Sequence, residues 1–388
     1  MSDSDRPRVL IVDDEPDDQR ALLEELRRHV EVNTVTPEDL QRENLREVDL
    51  VLVDLRLDYW PSREAVSSIA LKPLNGLALA ATLRGHANEV NSRRPIALAL
   101  YSAHLIDISA GLPPEPREHI LARANNLEWV FPKVQGDEDK PLSQRIASLA
   151  SAVRELPSTW PGGDTDETRA TVNQLLALDE TSDWTLRAWD DVDSCHPPLH
   201  DLSEGSHGLA FLRWFLYCIL PYPCFLWDTY HLAARLRLSL EFLEEELREG
   251  GAITQALLPF KYKGILSDFL GPRWWRSGIE FFLWNATNSA SFDPGSVHKV
   301  LEELSGHSVA RSDFIHPIIC LDEDFRSEPP ACSIEHAVRI RPDDWPPYAD
   351  QAWARLELAL ENPRVRALVI DEDRDKLVGS PGQVEGDH

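Results

Sequence analysis

The sequence predicts an α/β fold with a doubly wound parallel sheet over about the first 155 residues, followed by a mainly helical α+β region. Strand-like apolar runs alternate with helix-like patterns in the first part, as they do in βαβ units. Several of these runs end in a polar side chain. After residue 165 helical patterns dominate, and two short apolar runs near the C-terminus indicate strands.

Four apolar runs in the first part predict four strands, and each is followed by a chemically useful group. The runs and their endings are 9–12 with Asp13 and Asp14, 50–53 with Asp54, 96–100 with Ser102, and 129–131 with Lys133. In a parallel α/β sheet, ligands collect at the carboxyl ends of the strands. We therefore expect carboxylates, a hydroxyl and an ammonium group around one small pocket.

Amphipathic periodicity and composition predict the remaining elements and the domain division. Helices are expected at residues 17–29, 76–83, 143–156, 168–178, 207–220, 230–249, 296–304 and 351–360, and further strands at 318–321 and 367–370. Residues 157–167 are rich in proline, glycine and acid and predict a linker. The predicted domains are therefore residues 1–156 and 168–388.

Composition limits the classes of function that the chain can have. The 388 residues carry a formal charge of −27, which argues against a nucleic-acid partner because phosphate binding needs clustered Lys and Arg. Five cysteines without CxxC spacing favour reduced thiols and a cytoplasmic protein. The apolar stretch 209–227 contains Arg213, Pro221 and Pro223, which favours a buried helix over a membrane span.

The order of the four strand endings resembles the receiver domain of two-component response regulators, over residues 8–155. The resemblance implies a flavodoxin-like fold and a Mg²⁺-dependent transfer of a phosphoryl group from a partner histidine kinase. Asp13 and Asp14 match the family's acidic pair, and Asp54 matches the phosphoacceptor, which also binds the metal. By the same analogy, the backbone carbonyl of Arg56 completes the protein's metal ligands.

The resemblance also assigns roles to Lys133 and Ser102, and it has departures. Lys133 matches the lysine that pairs with the phosphoryl group, and Ser102 matches the hydroxyl residue that hydrogen-bonds to it. Gly76, which begins the next predicted helix, lies 22 residues after Asp54, where the family has a short loop. The position of the family's switch aromatic is Val130, with Trp129 beside it. From these departures we expect that the family's usual conformational readout is not kept.

The second part suggests three outputs. The first is a protein-interaction domain that contacts a downstream partner or a second copy of the chain, without binding DNA. The second is an enzyme under receiver control, with an acidic metal site. That site would draw on Asp322, Asp324, Asp371 and Asp373. The third is a phosphate sink that buffers a kinase, as in some two-component defence systems.

Two histidine patterns have both a functional and an ordinary interpretation. His196 and His200, with Asp201, Glu204 and His207 nearby, have ligand types that suit a metal, but the intervening Pro197 and Pro198 favour a polar loop. Asp228 and His231 could form an acid/base pair, but a helix-start cap by Asp228 is favoured.

Overall fold

The computed structural model describes residues 6–60, 73–90, 94–109, 117–133, 141–163, 165–178, 181–267 and 269–378. The chain divides into two compact units. The first unit comprises Met1–Asp179, His196–Pro221 and Lys263–Gly271. The second comprises Glu180–Cys195, Tyr222–Tyr262 and Pro272–His388. The division into two predicted domains joined by a linker at 157–167 stays a prediction.

Strands and helices are numbered in chain order within the described residues. The strands are β1 Arg8–Val12, β2 Glu31–Val35, β3 Leu50–Asp54, β4 Ala97–Ser102, β5 Trp129–Pro132, β6 Leu226–Trp227, β7 Trp274–Trp275, β8 Pro317–Leu321, β9 Ser327–Ser333, β10 Ala337–Arg339 and β11 Trp353–Arg355. The helices are α1 Arg20–Leu26, α2 Gly76–Val90, α3 Glu118–Ala124, α4 Leu142–Glu155, α5 Thr165–Leu175, α6 Thr185–Ser194, α7 Leu199–Ser203, α8 Leu209–Trp214, α9 Thr229–Leu236, α10 Leu240–Glu249, α11 Ala252–Leu257, α12 Arg276–Ala286, α13 Pro294–Ser305, α14 Leu356–Glu361, α15 Pro363–Ala367 and α16 Arg374–Val378.

The first unit contains a five-stranded parallel sheet in the order β2-β1-β3-β4-β5. This is the flavodoxin-like order, so the predicted fold class is confirmed. Strands β1, β3 and β4 are buried along nearly their whole length, as expected for strands covered on both faces. Asp54 pairs with Tyr101 in the register, which places the end of β3 beside the end of β4.

Strand β2 was not among the predicted strands. It lies at the edge of the sheet, and its residues are only partly buried or exposed. An edge strand does not need the continuous apolar run that marks the central strands. Its sequence, EVNTV, therefore lacks the signal on which the other four predictions depended.

The second unit combines helices with a four-stranded mixed sheet in the order β10-β11-β8-β9. Strands β8 and β11 are parallel, and the other pairs are antiparallel. A buried apolar cluster lies against this sheet and includes Leu321, Val338, Ala354 and Val365. The predicted mainly helical α+β character is confirmed.

Three local predictions in the second unit are wrong. Residues 367–370 are not a strand. Helix α15, which Asn362 caps, extends to Ala367. Within 367–370, Val369 forms an isolated bridge to Ile340. The helix expected at 230–249 is two helices, because Arg237 adopts a left-handed conformation (φ 59°) between α9 and α10. The helix expected at 351–360 starts late, after β11.

The apolar stretch at 209–227 does not form one long helix. Helix α8 continues into a wider π-helical turn, Phe215–Ile219, and the chain then turns at Pro221. Within the described residues, no helix has both the length and the apolar composition that a membrane crossing requires.

Candidate functional site

Three acidic side chains meet at the carboxyl ends of two central strands. Asp13 and Asp14 follow β1, and Asp54 is the last residue of β3. One ligand oxygen from each carboxylate lies within 4.8 Å of the other two. This is the only group of three or more potential metal ligands found among the described residues. The expected convergence of these three residues is therefore present in the fold.

Lys133 brings a positive charge to the same place from the end of β5. Its ammonium group donates a hydrogen bond to Asp54 Oδ2 at 3.0 Å and lies 3.5 Å from Asp13 Oδ2. It also lies over the Tyr101 ring, 4.9 Å from the centroid. The Asp54 side chain is 12% exposed and that of Lys133 22%, so both groups are largely shielded from water but still reachable.

Burial and charge act in opposite directions on these groups. Burial raises the pKa of Asp54 above its usual range, the positive charge and hydrogen bond of Lys133 oppose this, and the Asp13 carboxylate adds to the rise. Burial, together with the charges of Asp13 and Asp54, raises the pKa of Tyr101 to about 12. The phenol thus stays protonated and neutral in ordinary buffers.

Hydrogen bonds from the chain orient the first two carboxylates. Asp13 Oδ1 accepts from the backbone N–H of Glu15 at 2.8 Å, and Oδ2 accepts from Gln19 Nε2 at 3.0 Å. Asp14 Oδ2 accepts from the backbone N–H of Tyr59 at 2.6 Å. The role of Gln19 was not foreseen, because it depends on the turn that carries the chain from β1 to α1.

Gly76 lies directly against the phosphoacceptor candidate, although it is 22 residues further along the chain. A Cβ atom at this position would stand 1.8 Å from the carbonyl oxygen of Asp54. The Gly76 N–H donates to the carbonyl of Leu55 at 2.8 Å. Most of the predicted insertion at 59–75 falls on residues 61–72, which lie outside the described residues. Directly after the insertion, Gly76 brings the chain back to Asp54.

Ser102 and Arg56 lie close in sequence to the ends of β4 and β3. Ser102 is buried, and its hydroxyl oxygen accepts from the backbone N–H of His104 at 3.0 Å. The Arg56 guanidinium pairs with Asp107 at 3.0 Å. Their predicted roles toward phosphoryl and metal stay predictions.

The donor set suits a hard divalent cation. Mg²⁺ prefers carboxylate oxygens and retains several water ligands. Two carboxylates about 4 Å apart repel by about 4 kcal/mol at an effective dielectric constant near 20. Lys133 offsets part of this repulsion, and the partly exposed Asp14 leaves one side of the cluster accessible. The residues present therefore fit Mg²⁺.

A buried charged group lies directly before β5, at the opposite end of the strand from Lys133. Glu128 is fully buried and pairs with Arg84 at 2.8 Å and with Arg213 at 2.7 Å. It also accepts from the backbone N–H of Leu98 at 2.6 Å. Arg213 belongs to α8, so the charge inside the apolar stretch 209–227 has a partner in the parallel-sheet region.

Aromatic contacts join β5 to a second late segment of the first unit. The Phe269 ring packs edge-on against Trp129, at 4.8 Å between centroids, and against Phe131 at 6.1 Å. The Arg145 guanidinium of α4 lies 5.5 Å from the same ring. In addition, the Tyr217 hydroxyl donates to the carbonyl of Leu127. Long-range pairings of this kind leave no periodic signal in the sequence.

The acidic residues of the enzyme alternative do not assemble into a metal site within the described chain. Asp322 closes a turn by accepting from the N–H groups of Asp324 and Arg326. Asp373 pairs with Arg339 at 2.9 Å. His200 lies in helix α7 and not in the polar loop that was predicted, and it pairs with Glu204 at 3.4 Å on the surface. Their neighbours explain these groups without a metal.

Asp228 caps a helix as predicted, and its side chain also contacts His231. Asp228 Oδ1 accepts from the backbone N–H of His231 and caps α9, as predicted. The same oxygen lies 2.8 Å from His231 Nδ1, so the side-chain pair forms as well.

Comparison with known proteins gives only distant similarities. No protein-family model matches the chain, and no curated protein matches it in sequence. The response regulator ChrA of a heme-sensing two-component system is 12% identical, with 63% of this chain and 88% of that chain covered and a TM-score of 0.24. RcsB, solved as two dimers bound to two parallel DNAs, is 12% identical. The match covers 55% of this chain and 98% of the RcsB chain, with a TM-score of 0.23. Similarities at this level carry no argument about function.

Proposed function

We propose that this protein is a two-component response regulator that accepts a phosphoryl group on Asp54 from a histidine kinase. The observation that carries the proposal is the convergence of three carboxylates and the Lys133 ammonium at the strand ends of a flavodoxin-like sheet. This arrangement supplies a nucleophile, a place for a divalent cation and a cation that can pair with the product.

In the proposed reaction, an Asp54 carboxylate oxygen forms a bond to phosphorus as the bond between phosphorus and the kinase's histidine nitrogen breaks. The electron pair of that bond stays on the imidazole. Asp13, Asp14, Asp54 and the Arg56 carbonyl would hold Mg²⁺, which when bound shields the phosphoryl oxygens from the carboxylates. Lys133 pairs with the phosphoryl group, and the Ser102 hydroxyl donates a hydrogen bond to it.

The proposed readout follows β5 rather than the family's aromatic switch. Lys133 directly follows this strand, and Trp129 and Phe131 contact Phe269. When Lys133 turns from the carboxylates to a phosphoryl group, the strand end is pulled with it. We propose that the later segments packed on β5 sense this change.

The proposed output is contact with a downstream protein or with a second copy of the chain. The formal charge of −27 disfavours a nucleic-acid partner, because Lys and Arg contacts to phosphates supply most of such binding. Nothing in the described geometry favours the enzyme or the phosphate sink over this output.

The test is incubation with acetyl phosphate and Mg²⁺, followed by intact-mass measurement. We expect one added phosphoryl group on the wild type and none on Asp54→Asn. Asp58→Asn is the matched control, because this exposed aspartate lies four residues further along the same segment. It should be phosphorylated like the wild type.

Two results would contradict the proposal. One is an equal adduct on Asp54→Asn and wild type, which would place the phosphoryl group elsewhere. The other is no adduct on the wild type with either acetyl phosphate or the cognate kinase.

A further inference from the structure

The second unit contains a cavity of about 270 Å³ that the proposed phosphoryl chemistry does not use. Helix α9 contributes His231 and Arg235, the start of β8 contributes Ile318, and Asp350 and Trp353 lie on a further side. Ligand pockets commonly have volumes of roughly 300–1,000 Å³. This cavity lies just below that range, so its size limits it to a small ligand.

His231 presents one ring nitrogen to the cavity. Its Nδ1 lies 2.8 Å from Asp228 Oδ1, and within the described residues Nε2 makes no hydrogen bond. Burial lowers the pKa of His231, but the charges of Asp228 and Asp350 outweigh it and leave the pKa above its usual range, against a smaller opposing effect of Arg273. The raised pKa favours the protonated imidazole, and its second ring nitrogen is left to donate a hydrogen bond to an acceptor in the cavity.

The other charges on the lining leave an excess of positive charge. Arg235 is neutralised by a bidentate pair with Glu280, both contacts at 2.6 Å. Arg237 donates to the carbonyls of Phe292 and Ile315, and the charges of Arg235 and Asp293 act on its pKa in opposite directions. Asp350 is already paired, so it offers little competition to an anion.

The Asp350 carboxylate is occupied on both oxygens. Oδ1 accepts from the Arg276 guanidinium at 2.8 Å, and Oδ2 accepts from the indole N–H of Trp227 at 2.9 Å. Pairing with Arg276 offsets the negative charge of Asp350, and the other charged side chains on the cavity lining are basic. The cavity therefore differs in sign from the chain as a whole, whose formal charge is −27.

The rest of the lining is apolar and partly flat. Trp227, Phe292 and Trp353 contribute rings, and Pro317 and Ile318 contribute aliphatic surface. Such a lining binds a planar apolar body, while a few polar groups fix its orientation. Charge and shape therefore specify one class of ligand.

We propose that this cavity binds a small aromatic carboxylate, with the ring between the aromatic walls and the carboxylate at His231 Nε2. The protein would then receive a small-molecule signal in its second unit, independently of phosphoryl acceptance at Asp54. Among the described residues, the cavity lining contains no serine, threonine or cysteine, so the proposal is binding and not covalent catalysis.

The test is isothermal titration of the full chain with benzoate, with benzamide as the uncharged analogue and inorganic phosphate as an anion without an apolar body. We expect saturable one-to-one binding of benzoate. Benzamide and phosphate should bind at least about tenfold more weakly, because a charge-assisted hydrogen bond and the apolar contacts each contribute on this scale.

Two variants report on the site from different directions. His231→Gln removes the imidazole, and Ala234→Phe places a ring in the cavity without replacing Asp228 or His231. Both should weaken benzoate binding by about tenfold or more. His200→Gln, an exposed histidine of the first unit, should bind as the wild type does.

Several results would overturn the proposal. These are no benzoate binding by the folded wild type, equal binding of benzoate and benzamide, and unchanged binding in Ala234→Phe. Because Ala234→Phe keeps His231 and its partner, the test stands even if His231→Gln fails to fold.

Discussion

At the scale of single residues, Gly76 shows how closely the elements around Asp54 are packed. A methyl group at this position would lie 1.8 Å from the Asp54 carbonyl oxygen, so either β3 or α2 must shift. We expect Gly76→Ala to lower the free energy of unfolding by roughly 1–3 kcal/mol, as overpacking does. Phosphorylation at Asp54 should slow as well, because the nucleophile moves.

Gly85 supplies the matched control within the same helix. No atom lies within 4 Å of a Cβ at this position, so alanine there meets no obstacle. Gly85→Ala should raise the free energy of unfolding by roughly 0.5–1 kcal/mol, the usual preference for alanine in a helix interior. Chemical unfolding followed by circular dichroism measures both variants. Equal effects of the two substitutions would show that Asp54 and Gly76 are not in contact.

The Asp228–His231 pair makes a prediction about pH. The folded pKa of His231 is raised above the ordinary value of 6.5, so its contribution to stability is fully present below that value. The contribution is lost as the pH rises through the raised pKa. We therefore expect the wild type to lose stability from about pH 6.5 upward, relative to its own value at lower pH.

His231→Gln removes this contribution and should flatten the pH dependence over the same range. The pKa of Asp228 is held well below its usual range, because the charges of His231 and Arg273 outweigh the effect of burial. The contribution of Asp228 to stability is therefore lost only at acid pH, and it stays constant over the range above pH 6.5 in which His231 titrates. Thermal unfolding across the pH series measures the effect. Parallel profiles for the two proteins would contradict the assigned pair.

At the scale of elements, the ion pairs beside β5 make a prediction about stability. The buried Glu128 before it pairs with Arg84 and with Arg213 of α8. Arg213→Met should lower the free energy of unfolding by about 1–3 kcal/mol, less than for a lone buried pair because Arg84 remains. The exposed Arg123 of α3 provides the control, and Arg123→Met should change stability little.

A double-mutant cycle separates the ion pair from other effects. In the Arg213→Met background, Glu128→Gln should cost less than it does in the wild type, because one of its partners is already gone. Strictly additive costs would show that Glu128 and Arg213 do not interact in solution.

The proposed readout along β5 predicts a change at a distance from Asp54. Phosphorylation should alter amide hydrogen exchange in residues 209–219 and 263–271, which carry the contacts to Leu127, Glu128 and Trp129. Mass spectrometry of peptides from these segments, before and after phosphorylation, measures the change. Asp54→Asn treated in the same way should show none. Unchanged exchange in phosphorylated wild type would rule out this readout.

At the scale of the whole molecule, the sequence predicted those features that repeat or that end a strand. The central strands of the parallel sheet carry continuous apolar runs, so the amino-acid pattern alone was enough to infer their positions and the meeting of Asp13, Asp14 and Asp54. Edge strand β2 could not be inferred, because partial exposure removes the apolar run. The contacts of Gln19 and Gly76 depend on chain turns whose course a linear pattern does not contain.

The later segments of the chain were harder to place for a physical reason. Residues 196–221 and 263–271 belong to the compact unit of the parallel sheet, through contacts such as Phe269 with Trp129. Such contacts join residues about 140 positions apart. Burial explains why Phe269 is apolar but does not say which surface it covers. Arg213 was read from the sequence only as evidence against a membrane span, and its partner Glu128 is known from the structure alone.

The most direct test of phosphoryl acceptance locates the modified residue. An acyl phosphate is reduced by borohydride to an alcohol, which converts the modified aspartate to homoserine. After treatment with acetyl phosphate, Mg²⁺ and borohydride, peptide sequencing by mass spectrometry should find homoserine at position 54 and aspartate at positions 13, 14 and 58. Homoserine at another of these positions, or at none, would contradict the assignment of Asp54 as the phosphoacceptor.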